Sequence, residues 1–138
     1  SLEGDLRSQV HQAQLVHKVL FHGRLDDVGM TRVLGDSRIS ISVPSSDATS
    51  VALLESMACG LAVVASDLQA NRHWIDARWL VKARDATALA DRLHALIADD
   101  AAAEQAGLHN AARIAQDGDR AVQMNRMHAL YQQLLRTP

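Results

Sequence analysis

One stretch, from Ile39 to Asp67, constrains the fold most strongly, because it reads as strand, polar loop, helix and strand in immediate succession. Ile39–Val43 carries the branched residues of a strand. Leu61–Ala65 is branched and wholly apolar, which is typical of a strand buried on both faces of a parallel sheet. Two strands joined by a helix indicate a parallel unit, so the sequence favours an α/β fold.

The helix between these strands begins where open α/β sheets bind ligands. Thr49 or Ser50 can cap its start, and Gly60 can end it. Its amino end then lies at the carboxyl end of a parallel sheet, where unpaired backbone N–H groups favour an anion. Two acids flank this start: Asp47 lies just before the helix, and Glu55 follows eight positions later.

Spacing alone leaves two interpretations of these residues open. In the first, the amides of Thr49, Ser50 and Val51 hold phosphate. Glu55 would then accept hydrogen bonds from ribose hydroxyls along the flank of the same helix. In the second, Asp47 is an ordinary turn residue and Glu55 is a solvated position on the helix surface.

The rest of the chain predicts two further strands and a helical second half. Lys18–His22 and Trp79–Val81 have strand composition, so we expect a Rossmann-like parallel sheet of about four strands with helices on both faces. Further helices are expected at Leu2–Leu15, Asp26–Leu34, Ala86–Ala98 (capped by Asp85), about Ala101–Ala115 and Arg120–Leu135. The last of these carries an apolar stripe that we expect in the core, formed by Met124, Met127, Leu130, Tyr131 and Leu134.

Composition restricts the partners of this chain. Its 138 residues suffice for one domain, and a net charge of −2 with 3% aromatic residues disfavours nucleic acid as a partner. No His or Cys pair has metal-site spacing, so we expect no metal. The single Cys59 is interpreted as a small buried residue and fits a reducing compartment. A polar start and the lack of long apolar runs predict a cytoplasmic protein.

The residues around the central helix resemble the donor-nucleotide motif of retaining glycosyltransferases of family 4. That motif has two acids eight positions apart, followed by Ala-Met-Ala-x-Gly-x-Pro-Val-Val. Here the matching sequence is PSSDATSVALLESMACG from Pro44, continued by AVVASD from Ala62. A variant of the motif has Ser-Asp-Gly-Thr-Ser before the helix and Asn-Arg-Glu-Trp-Ile after it, where this chain has SDATS from Ser46 and NRHWI from Asn71. The resemblance extends over nearly the whole chain.

This resemblance implies the two-domain GT-B arrangement, with residues 1–138 forming the C-terminal, donor-binding domain. That domain binds a nucleotide diphosphate sugar without metal, and the N-terminal domain binds a glycan, lipid or small-molecule acceptor. Glu55 resembles the acid that binds ribose, and Asp47 resembles the catalytic-site acid that contacts the donor sugar. The other donor-binding positions are the phosphate-facing Thr49, Ser50 and Val51 and the base-bordering Arg24 and Leu25.

Departures from the family pattern leave two functions open. Ala48 stands where Gly is usual, Ala62 replaces Pro, and His73 replaces Glu. The acceptor domain and the first strands of the donor domain are absent from this sequence, so we expect the chain alone to be inactive. In a full-length enzyme it would work in the cytoplasm or peripherally at a membrane. The alternative is a non-catalytic nucleotide-binding or protein-interaction module of the same ancestry.

The absent strands would lie between Lys18–His22 and Ile39–Val43 in the strand order of this fold. We therefore expect either that these two strands pair directly or that strands from another chain complete the sheet. An exposed sheet edge at Ile39–Val43 would favour self-association.

Overall fold

The computed structural model describes residues 2–48 and 50–136, which form two compact units. The first unit ends at Thr31, and the second begins at Arg32. The first contains helix α1 (Leu2–Gln12) and the irregular chain that follows it. Helix α2 (Asp27–Gly35) includes the boundary. The assignment of all 138 residues to one donor-binding domain stays a prediction.

A sheet of three parallel strands forms the centre of the second unit. Its strands are β1 (Ile39–Ser42), β2 (Ala62–Ser66) and β3 (Leu80–Val81), in the spatial order β1-β2-β3. Pairing runs from Ile39 opposite Ala62 to Ser42 opposite Ala65, and β3 pairs with the end of β2. Every residue of β2 is buried, as expected of an apolar central strand. The α/β fold and three of the predicted strands are confirmed.

The prediction of a fourth strand at Lys18–His22 is wrong. The N–H groups of Lys18 and Val19 donate to the carbonyl oxygen of Leu15 at 2.8 and 3.1 Å, in turns that follow α1. These local bonds use backbone donors that a strand would present to a neighbour. Lys18–His22 therefore does not pair with β1, and β1 is an edge of the sheet that the described residues form. Self-association through this edge stays a prediction.

Helices cover both faces of the sheet, as predicted. The remaining helices are α3 (Val51–Ala58), α4 (Ala86–Ala98), α5 (Asp100–Arg113) and α6 (Arg120–Arg136). Alternate side chains of β2 point to opposite faces. Val63 and Ala65 pack with α3, whereas Ala62 and Val64 pack with α4 and α5. The two buried clusters of this unit therefore share one central strand.

The predicted helix caps are confirmed at two sites. The Ser50 hydroxyl accepts the N–H of Leu53 at 3.3 Å, and the Asp85 carboxylate accepts the N–H of Ala88 at 2.9 Å. Gly60, just after α3, has a φ of +75°, which glycine adopts without the steric cost of a side chain. The N-cap residues and the glycine that ends α3 could be predicted from the sequence because their effects extend over a single helical turn.

The apolar stripe of α6 is not in the core, contrary to prediction. No residue of α6 is buried, and the described part of the chain contacts α6 mainly through a π-helical turn at Ile114–Gly118. Cys59, the C-cap of α3, is also exposed rather than buried. Helical spacing shows that a face is apolar but not what covers it. The stripe side chains are 43–62% exposed: Met124, Met127, Leu130, Tyr131 and Leu134.

Candidate functional site

Helix α3 is held against the sheet with its amino end beside the carboxyl ends of the strands. It connects the parallel strands β1 and β2, so it runs opposite to them. Leu53, Ser56 and Met57 form its buried face. The Ser56 hydroxyl lies 2.8 Å from the hydroxyl of Ser40 in β1. This contact joins the middle of the helix to the sheet and leaves the opposite face of α3 open.

The amino end of α3 presents backbone N–H groups that the helix cannot satisfy. Ser50 is the N-cap and takes the N–H of Leu53. The N–H groups of Val51 and Ala52 belong to the first turn and have no acceptor within the helix. The Val51 residue is 67% exposed, so solvent or a ligand can reach this end. An anion is stabilised at such a helix end. Thr49, the third predicted phosphate contact, lies outside the described residues.

Both predicted acids face solvent. Glu55 lies four residues after Val51 and therefore on the same side of α3, where Ala52 and Ala58 are also exposed. Asp47 lies in the loop that precedes the helix. The described residues give neither carboxylate a hydrogen bond or an ion pair. The structure thus brings Val51 and Glu55 together on one open face of α3.

Arg24 and Leu25, the predicted border of the base, belong to the first unit. They line an open pocket of about 690 Å³ together with Asp26, Asp27 and Val28. Arg24 is exposed and Leu25 is half-buried. Their contact with a nucleotide base stays a prediction.

Sequence reasoning missed two buried polar residues behind the loop of residues 44–50. Ser66, the last residue of β2, is completely buried, and its hydroxyl donates to the carbonyl oxygen of Pro44 at 2.7 Å. Asn71 is 2% exposed and donates its side-chain amide to the carbonyl oxygen of Ser66 at 2.9 Å. The signal for Ser66 was its position directly after a wholly apolar strand, because a hydroxyl buried there needs a partner.

Two cations at the carboxyl edge of the sheet were also missed. Arg72 forms two bonds with Asp67, at 2.7 and 3.2 Å, directly after β2. The hydrogen bond from Arg72 is the main cause that lowers the pKa of Asp67, and the charge of Lys82, directly after β3, acts in the same direction. Arg72 and Lys82 therefore place two positive charges around the Asp67 carboxylate at this edge of the sheet.

Two further observations concern metals and membranes. Within residues 2–48 and 50–136, no three His, Cys, Asp or Glu side chains lie close enough together to hold a metal ion. None of the helices in that part of the chain combines the length and the apolar composition needed to cross a bilayer. The predictions of metal-free donor binding and of a cytoplasmic location stay predictions.

Comparison with known proteins matches this arrangement to a family. A family model described as glycosyl transferases group 1 matches residues 2–99. The phosphatidyl-myo-inositol mannosyltransferase of Mycobacterium leprae (strain TN) is 36% identical over 107 residues, which is 75% of this chain and 28% of that protein.

A solved structure shares the fold. Sucrose-phosphate synthase from Thermosynechococcus elongatus superposes with a TM-score of 0.85 and 24% identity, over 96% of this chain and 34% of that one. The chain therefore spans about a third or less of the length of either relative. The family model covers more than half of the chain, and the curated relative supports it independently. The chain belongs to the group 1 (family 4) glycosyltransferases, and its sheet and helices are those of a GT-B domain.

Proposed function

We propose that this chain is the donor-binding part of a retaining glycosyltransferase and binds a nucleotide diphosphate sugar on the open face of α3. One observation carries the proposal: the helix offers the Val51 amide at its end and the Glu55 carboxylate four residues along the same exposed face. A donor of this class has an anionic diphosphate next to a ribose with two hydroxyls. Amides at a helix end complement the first, and a carboxylate complements the second.

Each group has a distinct role in this proposal. The first-turn amides after the Ser50 cap hold diphosphate oxygens, which also gain from the partial positive charge of the helix end. Glu55 accepts hydrogen bonds from the ribose hydroxyls and thereby fixes the nucleoside along the helix. Asp47, in the loop before the helix, contacts the sugar that is transferred. Arg24 and Leu25 border the base.

The chain alone is expected to bind the donor without transferring its sugar. Its relatives are roughly three times as long. In the family to which the chain belongs, the acceptor binds to a second domain, which no part of the matched residues supplies. Transfer needs both substrates held in one geometry, so donor binding and transfer are separable in this chain.

Calorimetric titration with UDP, GDP and ADP tests the site. We expect at least one of them to bind, and Glu55→Ala to weaken that binding at least about tenfold, since two hydrogen bonds to a charged group are lost. Glu104→Ala is the matched control. Glu104 is an exposed glutamate that lines a pocket with Arg38, the residue before β1, and so lies at the opposite end of the sheet.

Three results would contradict the proposal: no binding of any of the three nucleotides, binding that Glu55→Ala leaves unchanged, or equal weakening by both substitutions. Sugar transfer by the full-length protein separates the enzyme from the non-catalytic alternative. Intact, Glu55-dependent donor binding without any transfer by that protein would favour the binding module.

A further inference from the structure

The loop of residues 44–50 carries the proposed sugar and phosphate contacts, yet its middle has little packing to hold it. Residues 45–48 are all exposed, and Pro44 and Ser50 at the two ends are half-buried. Ser50 is fixed as the N-cap of α3. The conformation of the loop therefore depends on what fixes its other end, at Pro44.

Pro44 has a single backbone group with which it can be held. A proline has no N–H, so its carbonyl oxygen is its only backbone hydrogen-bonding atom. That oxygen accepts the hydroxyl of Ser66 at 2.7 Å. Pro44 also lies two residues beyond the end of β1, whose ladder with β2 closes at Ser42 opposite Ala65. The Ser66 bond thus continues the attachment of the chain to β2 beyond the last paired residue.

Ser66 is itself fixed by further hydrogen bonds, one of them from a buried side chain. Its carbonyl oxygen accepts the side-chain amide of Asn71 at 2.9 Å and the N–H of Leu68 at 2.8 Å. The N–H of Asn71 in turn donates to the carbonyl oxygen of Leu68 at 2.9 Å. Because Ser66 and Asn71 are almost completely buried, these bonds are shielded from competing water. A rigid turn after β2 therefore supports the residue that holds Pro44.

We propose that Ser66 is a positioning residue for the donor, whose hydroxyl fixes the loop of residues 44–50 through the Pro44 carbonyl. The identity of the ligand as a nucleotide diphosphate sugar rests on the proposed function, whereas the effect of Ser66 on the loop does not. Ser66 touches no donor atom in this arrangement. Its hydroxyl limits the positions that the loop can take, so that Asp47 and the amide end of α3 are already arranged when a diphosphate arrives.

Hydrogen exchange of the loop amides tests the tether directly. We expect Ser66→Ala to speed exchange in the peptide covering residues 44–50 about three- to tenfold, the loss that corresponds to one hydrogen bond. In Ser66→Cys, whose thiol is a weaker donor of nearly the same volume, the exchange rate should lie between those of the unchanged chain and of Ser66→Ala. Ser40→Ala is the matched control, because it removes a hydroxyl from the same sheet while Ser56 keeps its bond to the Ala52 carbonyl.

Nucleotide titration gives the second readout. The ligand is whichever of UDP, GDP and ADP binds the unchanged chain. Ser66→Ala should weaken the binding of this nucleoside diphosphate about three- to tenfold and leave the binding of the corresponding nucleoside unchanged. A merely structural serine would weaken both ligands or neither. All measurements are made well below the melting temperature of each variant, so that global unfolding does not contribute.

The outcomes separate this inference from the proposed function. Unchanged loop exchange in Ser66→Ala, or an equal change in Ser40→Ala, overturns the positioning role even if nucleotides bind. If Ser66→Ala speeds exchange in the loop but leaves the diphosphate affinity unchanged, Ser66 holds the loop without affecting donor binding, and its role for the donor is overturned. If no nucleotide binds the unchanged chain, the proposed function and the donor role both fail, and loop exchange still decides whether the tether exists.

Discussion

Single residues of α3 and of the carboxyl edge of the sheet divide into those that face solvent and those that are buried. Asp47 and Glu55 are exposed and have no partner among the described residues, so they can bind hydroxyl groups without first breaking an internal bond. Ser66 and Asn71 are buried and paired. The proposed binding groups gain from such support, because a loop that is free to move must be ordered when a ligand binds.

The Asp67–Arg72 pair provides a prediction at this scale. Arg72→Met should raise the pKa of Asp67 toward the ordinary value of about 3.9, because the hydrogen bond from Arg72 is the main cause of its lowering. A lowered folded-state pKa stabilises the fold above the unfolded-state pKa, and this contribution is lost as the pH falls through the folded-state value. The stabilisation by this pair should therefore begin to decrease below about pH 4 and be lost once the pH is below the folded-state pKa of Asp67.

Carbon-detected NMR titration of the Asp67 carboxyl group measures this shift. Arg78→Met is the control, because Arg78 holds a different carboxylate, that of Asp76, at 2.9 Å and lowers its pKa. It should move the pKa of Asp76 and leave that of Asp67 alone. An Asp67 pKa that Arg72→Met does not change would show that the bond is absent in solution.

At the scale of elements, α5 packs closely against the turn between α3 and β2 and is hydrogen-bonded to it. A Cβ atom on Gly107 would overlap the carbonyl oxygen of Gly60, so only glycine allows this approach. Asn110, one turn further along α5, donates its side-chain amide to the Leu61 carbonyl oxygen at 2.8 Å and is buried. The turn that ends the proposed donor helix is thereby fixed from the far side of the sheet.

Gly107→Ala should lower the free energy of unfolding by about 1–3 kcal/mol, because the added methyl meets backbone atoms that cannot move aside cheaply. Urea denaturation measures the change. Gly35→Ala is the control: nothing lies within 4 Å of its added Cβ atom, so that change should stay within about 0.5 kcal/mol. Equal effects of the two substitutions would contradict the close approach.

Elements could be predicted where their signals are local. The Asp85 cap and the buried run of β2 were readable because each depends on residues within one turn or one strand. The prediction of a strand at Lys18–His22 failed because a strand forms only beside a partner strand, and the composition of a segment does not reveal whether a partner is present. The Ser66–Pro44 bond joins residues 22 positions apart, so no local pattern contains it.

For the whole molecule, the two units contribute unequally to stability. The core clusters and the side chains packed on them all lie between Ile39 and Ile114, within the second unit. Helix α1 has no buried residue. The first unit nevertheless contains Arg24 and Leu25, which the family resemblance relates to the base. Stability and base selectivity should therefore be separable along the chain.

Removal of residues 1–25 tests this separation. The shortened chain begins at Asp26, whose carboxylate accepts the N–H of Gly29 at 2.8 Å, so the start of α2 is kept. Because the lost residues add nothing to either core cluster, the melting temperature should fall by less than about 4 °C. The selectivity among UDP, GDP and ADP should shrink, since the residues proposed to border the base are gone. The double substitution Arg24→Ala, Leu25→Ala in the complete chain is the matched variant and should reduce selectivity to the same degree. A much larger fall in melting temperature would show that the first unit is part of the stable core, and unchanged selectivity would exclude Arg24 and Leu25 from the base site.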